Sequence, residues 1–432
     1  MTDASGESAP ASTSLRGASR RRAGLVTFDQ GISSASNLLP LLWVAHALTP
    51  ADFGRFSLVF LVYVFAQTGV VRSLVSATVV VHPEDADERP RAVVGTALLL
   101  SFIPLGLCLL VGGVLWLSDS SMGLPVLLVG AAMPLLGVQD VGRYIAIAES
   151  KPGRAVVLDL LWLVLMVVAF VAATAWLTPT LSLLVAAWAF TGAASGLWVF
   201  LQYGVPRAHE LSLAWLRSRW HFSWRSLVAS SSTATVALIG SALMAVVSGP
   251  VAVAAVRAAL LLERPSTAVQ LAVATSAAAD IAREHPDNAG LMAHQRRTMW
   301  LSIAVAVLNM AVVLAIPDSV GHALLGKVWD TVQPLLVAIG FHVGTLAAQS
   351  GVRAVLIGRR EIGPVMVVDI AGTLLSITGL VVGAVVADAQ GAMWGAVIGQ
   401  ALTVVMWWVV LLRHLAAPHV DDQASANELS LP

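Results

Sequence analysis

The chain has 432 residues, of which 57% are hydrophobic and only 12% charged, about half the charge of a soluble chain. Its formal net charge of +0 argues against a nucleic-acid partner. The single cysteine, Cys108, excludes a disulfide framework and a thiolate metal site.

Residues 1–23 are rich in Ser, Ala, Gly and Arg and read as a disordered basic tail. Arg20, Arg21 and Arg22 superficially resemble an export signal. No small-residue cleavage site follows, and the next apolar stretch carries Asp29, Gln30 and Asn37, so the reading is a basic anchor before a first span. From there, charge-free runs recur at bilayer length, since about 20 apolar residues cross about 30 Å of hydrocarbon. The predicted spans are 25–47, 55–80, 93–117, 123–148, 155–177, 181–203, 222–247, 250–280, 299–317, 330–357, 363–386 and 390–412. The fold class expected is therefore all-α integral membrane with twelve helices.

With twelve spans, the two terminal tails and the even-numbered connections hold 18 Lys or Arg residues, against only Arg55 and Lys327 on the other side. Positive residues mark the cytoplasmic face. This predicts a multi-pass protein of the cytoplasmic membrane with both termini cytoplasmic. Trp116, Trp162, Trp176, Trp300 and Trp329 fall near predicted helix ends and are expected in an interfacial belt.

A repeat runs through the chain. Gln139, Arg143, Ile147, Gly153, Val157 and Asp159 match Gln349, Arg353, Ile357, Gly363, Val367 and Asp369, each at an offset of 210 with no gap. The expected organisation is two six-helix lobes, 24–204 and 222–414, joined by a basic linker at 205–221 and followed by a tail at 415–432. Six is even, so the lobes share an orientation and relate by a pseudo-twofold axis along the membrane normal. Substrate sites in such proteins lie between the halves.

An ionisable group at membrane depth costs at least about 2.5–3.5 kcal/mol, so each is a functional candidate. Arg72, Arg143, Arg257, Arg264 and Arg353 lie inside predicted spans. Arg257 and Arg264 are two helical turns apart on one face, about 10 Å along the axis, and Pro265 kinks the helix beside them. The acidic set is Asp29, Asp140, Asp159, Glu263 and Asp369. Asp29, Asp159, Glu263 and Asp369 are candidates for ion coupling. For Asp159 and Asp369 the simpler role is to meet the positive end of a helix, and Glu263 could neutralise an arginine of another helix. Arg143 and Arg353 are close enough to the cytoplasmic boundary to snorkel. His46 and His342 titrate near neutrality, although histidines at helix ends are usually interfacial. A cavity lined by arginines suits an anion, because the guanidinium fork matches phosphate oxygens. No Walker loop, nucleophile elbow or metal-ligand cluster occurs, so neither a cofactor nor an enzymatic activity is expected.

The segment 28–37 (FDQGISSASN), followed by 51–56 (ADFGRF), resembles the first two helices of bacterial polysaccharide flippases of the multidrug/oligosaccharidyl-lipid/polysaccharide (MOP) exporter superfamily. Gln139 to Tyr144 with Asp159 to Trp162 is similar to their fourth and fifth helices, and Glu263-Arg264-Pro265-Ser266 to the eighth helix of the lipid II flippase branch. The resemblance implies translocation of an undecaprenyl-pyrophosphate-linked oligosaccharide to the outer leaflet. It implies polysaccharide polymerase and glycosyltransferases as partners. It also implies two six-helix lobes with a central cationic cavity, to which Arg72, Arg257 and Arg264 are the best matches. The arginine-to-proline spacing in the eighth helix departs from the lipid II branch. Competing readings are a cation-coupled multidrug exporter, a membrane glycosyl polymerase or ligase, and an inert scaffold. The exporter would show membrane carboxylates. The polymerase would need a long outer loop, whereas the longest outer connection spans only about residues 317–330.

Overall fold

The computed structural model describes Ile32 and residues 36–416. Among them every long element is a helix, and nine helical segments are long and apolar enough to cross a membrane. Two of those segments are hairpins or kinked pairs. The helix Trp220–Glu284 is interrupted at Gly249, which has φ 79° and ψ 175° just before Pro250. The helix Ile362–Ala416 is interrupted at Ala387 and Asp388, the latter at φ 48°. With each of these read as two and with the described part of the first span, the expected twelve helices are present.

They are α1 (36–47), α2 (50–81), α3 (Pro90–Leu117), α4 (Gly123–Ala148), α5 (Pro152–Ala175), α6 (Leu181–Tyr203), α7 (220–248), α8 (250–284), α9 (Asn288–Leu314), α10 (Leu336–Gly358), α11 (362–386) and α12 (389–416). Start signals are local. Thr49 accepts from the Asp52 amide ahead of Pro50, Thr180 from that of Leu183, and Asp287 from that of Gly290, the side-chain caps that helix N-termini require. Helix α10 begins at Leu336 rather than 330, because Gly326–Leu335 is spent on short turns of 3-10 and α helix. Helix α9 begins well before residue 299, so Arg296 and Arg297 lie on it.

The chain forms two compact units, Met1–Leu238 and Ile239–Pro432, divided within α7. In the first unit the core is aromatic: Tyr63 of α2 lies edge-on to Trp188 of α6 at 5.0 Å, and Phe60 packs against the same ring at a tilt at 5.2 Å. Trp162 of α5 lies edge-on to Tyr63 at 6.4 Å, and Trp43 of α1 packs against Phe170. Trp162 and Trp329 are thus interior, 4% and 1% exposed, and only Trp116, Trp176 and Trp300 of the expected belt face outward. The buried pair face inward, and Trp162 lies near the middle of α5, which position along the chain does not distinguish. Ile103, Leu107, Leu110, Val114 and Leu117 form an exposed apolar stripe along α3, as a lipid-facing helix requires. The start of α7 is tied to the end of α2 by Thr78–Ser223 (2.8 Å), and just outside the two helices Arg219 reaches Asp85 at 3.0 Å.

In the second unit, α11 and α12 pack through glycines. A methyl on Gly395 would overlap the carbonyl oxygen of Gly379, and one on Gly383 that of Gly391. Close backbone approach through small residues is a principal way that membrane helices associate. Gly395→Ala is therefore expected to lower stability by about 1–3 kcal/mol through overpacking, read as a lower melting temperature in detergent. Gly106→Ala, where an added methyl meets nothing within 4 Å, is expected to leave it unchanged or slightly raised.

Candidate functional site

The repeat predicts that equivalent residues make equivalent structure, and the two α4–α5 and α10–α11 turns show this. The turns close with Ser150 at φ 60° and Arg360 at φ 63°. The amides of Ser150 and Lys151 bond to the carbonyls of Ile147 and Ala146, and those of Arg360 and Glu361 to Ile357 and Leu356. Each turn brings an arginine of the first helix to an aspartate of the second. Arg143 lies 3.1 Å from Asp159, and Arg353 lies 3.1 Å from Asp369. Asp159 and Asp369 therefore do more than meet a helix end: they are counter-charges to the intramembrane arginines. The N-terminal pair is buried on both sides, whereas the Arg353 side chain is 42% exposed. The matched glutamines differ in partner, Gln139 donating to Asp159 (3.0 Å) and Gln349 bonding Gln400 of α12 (3.0 Å).

Arg72 is also held by a carboxylate. Its guanidinium forks onto Asp140 of α4, with Nε 3.2 Å from each oxygen, and Ser76 donates to the same carboxylate at 3.3 Å. The Tyr144 ring lies between Arg72 and Arg143, 5.4 and 5.7 Å from the two guanidinium carbons, a cation–π arrangement. What aims Arg72 is a run of π helix at Phe65–Ser76 in the middle of α2. The wider turn, rare and usually confined to one turn, changes the rotation of α2. It also turns Gln67 inward, where its amide donates to the Met133 carbonyl at 3.2 Å. Nothing in the composition of that segment signals it. The repeat does not extend to this pair, because the position matching Asp140 is Ser350, bonded to Ser302 at 2.9 Å.

The second unit holds a different arrangement on α8. Arg257 is 8% exposed, and its Nε is buried without a hydrogen-bond partner. Arg264, half-buried, lies two turns further on. Neither arginine forms an ion pair with a carboxylate among the described residues. Glu263, the one acid beside them, is bonded instead to His342 of α10, 2.8 Å from Oε2 to Nδ1. His342 lies within α10 with its side chain 17% exposed. Of the nine site residues read from the sequence, the structure joins Arg143 with Asp159 and Arg353 with Asp369. It gathers Arg257, Arg264 and Glu263 on α8. Asp29 lies outside the described residues. Asp140 and His342 complete these clusters, and each could have been found as the acid or base left over when the intramembrane charges are paired.

Removing one member of a buried ion pair leaves an uncompensated charge, a cost of about 3–5 kcal/mol. Asp140→Ala is expected to destabilise by that amount and the double variant Arg72→Met/Asp140→Leu to recover most of it, measured by thermal unfolding in detergent.

No protein-family model and no curated protein matches the sequence. Solved structures do match the fold. One is a multidrug resistance MATE family transporter of the MOP superfamily in an inward-facing conformation, with TM-score 0.69, 14% identity, and coverage of 89% of this chain and 94% of that one. Another is a MOP superfamily transporter from Pyrococcus furiosus, described as having a binding pocket of reverse polarity that suggests a different function. It matches with TM-score 0.59, 14% identity, and coverage of 93% and 96%. The chain therefore has the two-lobed, all-helical fold seen in MATE transporters of the MOP superfamily.

Proposed function

We propose that the chain is a flippase that moves a polyprenyl-pyrophosphate-linked oligosaccharide across the cytoplasmic membrane by alternating access, for cell-surface polysaccharide synthesis. The observation that carries this reading is the pair Arg257 and Arg264, two guanidinium groups on one helix face with no carboxylate partner among the described residues. Arg72, Arg143 and Arg353 each have an aspartate as counter-charge. At membrane depth an arginine without a counter-ion is expensive, and an anionic ligand with several oxygens recovers that cost through forked hydrogen bonds. A pyrophosphate diester supplies such oxygens and a lipid tail supplies the reason to be in the bilayer. The sequence resemblance to polysaccharide flippases and the transporter fold support the same reading. Within it, α8 holds the pyrophosphate, and the aspartate-paired arginines maintain the lobes. The termini face the cytoplasm, where glycosyltransferases would supply the substrate, and a polymerase would take it up outside.

A cation-coupled multidrug exporter is the second reading, favoured by the buried carboxylate of Glu263 and by the multidrug description of a structural neighbour. The two differ in their cargo. In liposomes loaded with a fluorescent undecaprenyl-pyrophosphate oligosaccharide, wild type is expected to exchange the lipid between leaflets. Arg257→Ala and Arg264→Ala are expected to slow exchange at least about ten-fold, the loss of roughly 1.4 kcal/mol of binding. The Arg72→Met/Asp140→Leu protein, if folded, is expected to keep it. Efflux of lipophilic cations with no lipid exchange contradicts the flippase.

A further inference from the structure

Within the second unit, the start of α9 and the end of α12 enclose a groove of about 310 Å³. Along α9 it is lined by Met292, Gln295, Arg296, Met299 and Trp300, and its other wall is Trp408 of α12. Those α9 residues recur at intervals of three and four, so they form one stripe, about 12 Å long at 1.5 Å per residue. Asn288 at the head of α9 donates to the Leu415 carbonyl of α12 at 3.4 Å, which holds the two helix ends together. The stripe crosses the edge of the predicted span that begins at residue 299, with Arg296 outside the edge and Trp300 just inside it. Further along α9, Leu301, Val307, Leu308 and Val312 are exposed, as a lipid-facing helix requires. We propose that this groove binds the head of one anionic glycerophospholipid, with its phosphate on Arg296 and its acyl chains along the apolar face of α9.

The groove is rich in donors, and no carboxylate lines it. Among the described residues Arg296 makes neither an ion pair nor a side-chain hydrogen bond, and the indole nitrogens of Trp300 and Trp408 make no hydrogen bond. Gln295, 2% exposed, has only the Met299 sulfur as partner for its amide nitrogen, at 3.5 Å, and a thioether is a weak acceptor. Two acids near the start of α9 are already used: Asp287 accepts from the Gly290 amide at 2.8 Å, and Glu284 pairs with His294 at 3.2 Å. Four donor side chains without an acid suit a ligand made of acceptors and carrying net negative charge. A phosphodiester meets the guanidinium through forked hydrogen bonds. Its ester carbonyls reach the depth at which tryptophan indoles donate, and acyl chains cover the face below. A free phosphate leaves the tryptophans and methionines bare, and a zwitterionic head brings an ammonium that finds no carboxylate there. Basic pockets between membrane helices take anionic lipid heads in this way. Bound there, the lipid bridges α9 and α12 and stabilises the folded unit by mass action. Arg257 and Arg264 do not line the groove, so the site is independent of the cargo.

The test incubates purified full-length protein with equal amounts of phosphatidylglycerol and phosphatidylcholine and reads the bound lipid by native mass spectrometry. Wild type is expected to retain phosphatidylglycerol about five-fold over phosphatidylcholine, and Arg296→Gln to lose that preference. Arg283→Gln removes the same charge from a side chain that is 78% exposed on the neighbouring α8, and it is expected to keep the preference, as is Arg257→Ala/Arg264→Ala. Trp300→Leu/Trp408→Leu is expected to retain less of both lipids. Phosphatidylglycerol is also expected to raise the melting temperature of wild type but not of Arg296→Gln, whose melting temperature without lipid matches wild type. Equal retention of the two lipids by wild type overturns the proposal, and so does undiminished retention in the tryptophan variant. An equal loss of preference in Arg283→Gln and Arg296→Gln reduces the effect to general surface charge and overturns it. A loss confined to Arg257→Ala/Arg264→Ala moves the lipid to α8, and a wild-type dimer that Arg296→Gln dissociates puts a second copy in the groove; either result overturns it as well.

Discussion

A charge inside a bilayer has to be answered by another charge, by a hydrogen-bonding network or by a ligand, because water is absent. That constraint accounts for most of the polar architecture of this chain. Three of its five intramembrane arginines are answered by aspartates from neighbouring helices of their own unit. The pairs connect α2 with α4, α4 with α5, and α10 with α11, so the same contacts that neutralise charge also fix helix rotation. Buried ion pairs are weak evidence of net stability, but they are strong determinants of register, since every alternative packing leaves a charge alone.

The two units apply the constraint unequally. In the first, Arg72, Arg143, Asp140, Asp159, Gln139 and Tyr144 form a connected network of ion pairs, hydrogen bonds and cation–π contacts. In the second, the repeat-related pair Arg353–Asp369 is retained and more exposed, while α8 carries two arginines whose nearest acid is committed to His342. The first unit thus pairs its intramembrane arginines with aspartates, and the second leaves the two arginines of α8 without a carboxylate partner among the described residues. The proposed substrate follows from that asymmetry.

Much of the fold was legible because membrane helices announce themselves by composition. Charge-free runs of bilayer length were enough to place twelve helices. The 210-residue offset between Gln139–Asp159 and Gln349–Asp369 identified two turns whose geometry is the same down to the left-handed residue. What the offset could not show is that arginine and aspartate within each repeat meet, because sixteen residues across a turn do not specify rotation. The long π-helical run in α2 was hidden for a similar reason: its residues are ordinary for a membrane helix, and the wide turn goes together with the contacts of Gln67 and Arg72 to α4. His342 and Glu263 are separated by 79 residues, beyond any local pattern, and the interior positions of Trp162 and Trp329 depend on which face of a helix is covered.

The central claim is that Arg257 and Arg264 bind the pyrophosphate of a lipid-linked substrate. Native mass spectrometry of the purified chain, incubated with equal amounts of an undecaprenyl-pyrophosphate lipid and uncharged undecaprenol, tests it most directly. The account predicts that wild type retains the pyrophosphate lipid in preference to the alcohol and that the Arg257→Ala/Arg264→Ala protein retains the two equally. Equal retention by wild type, or an undiminished preference in the double variant, would contradict it.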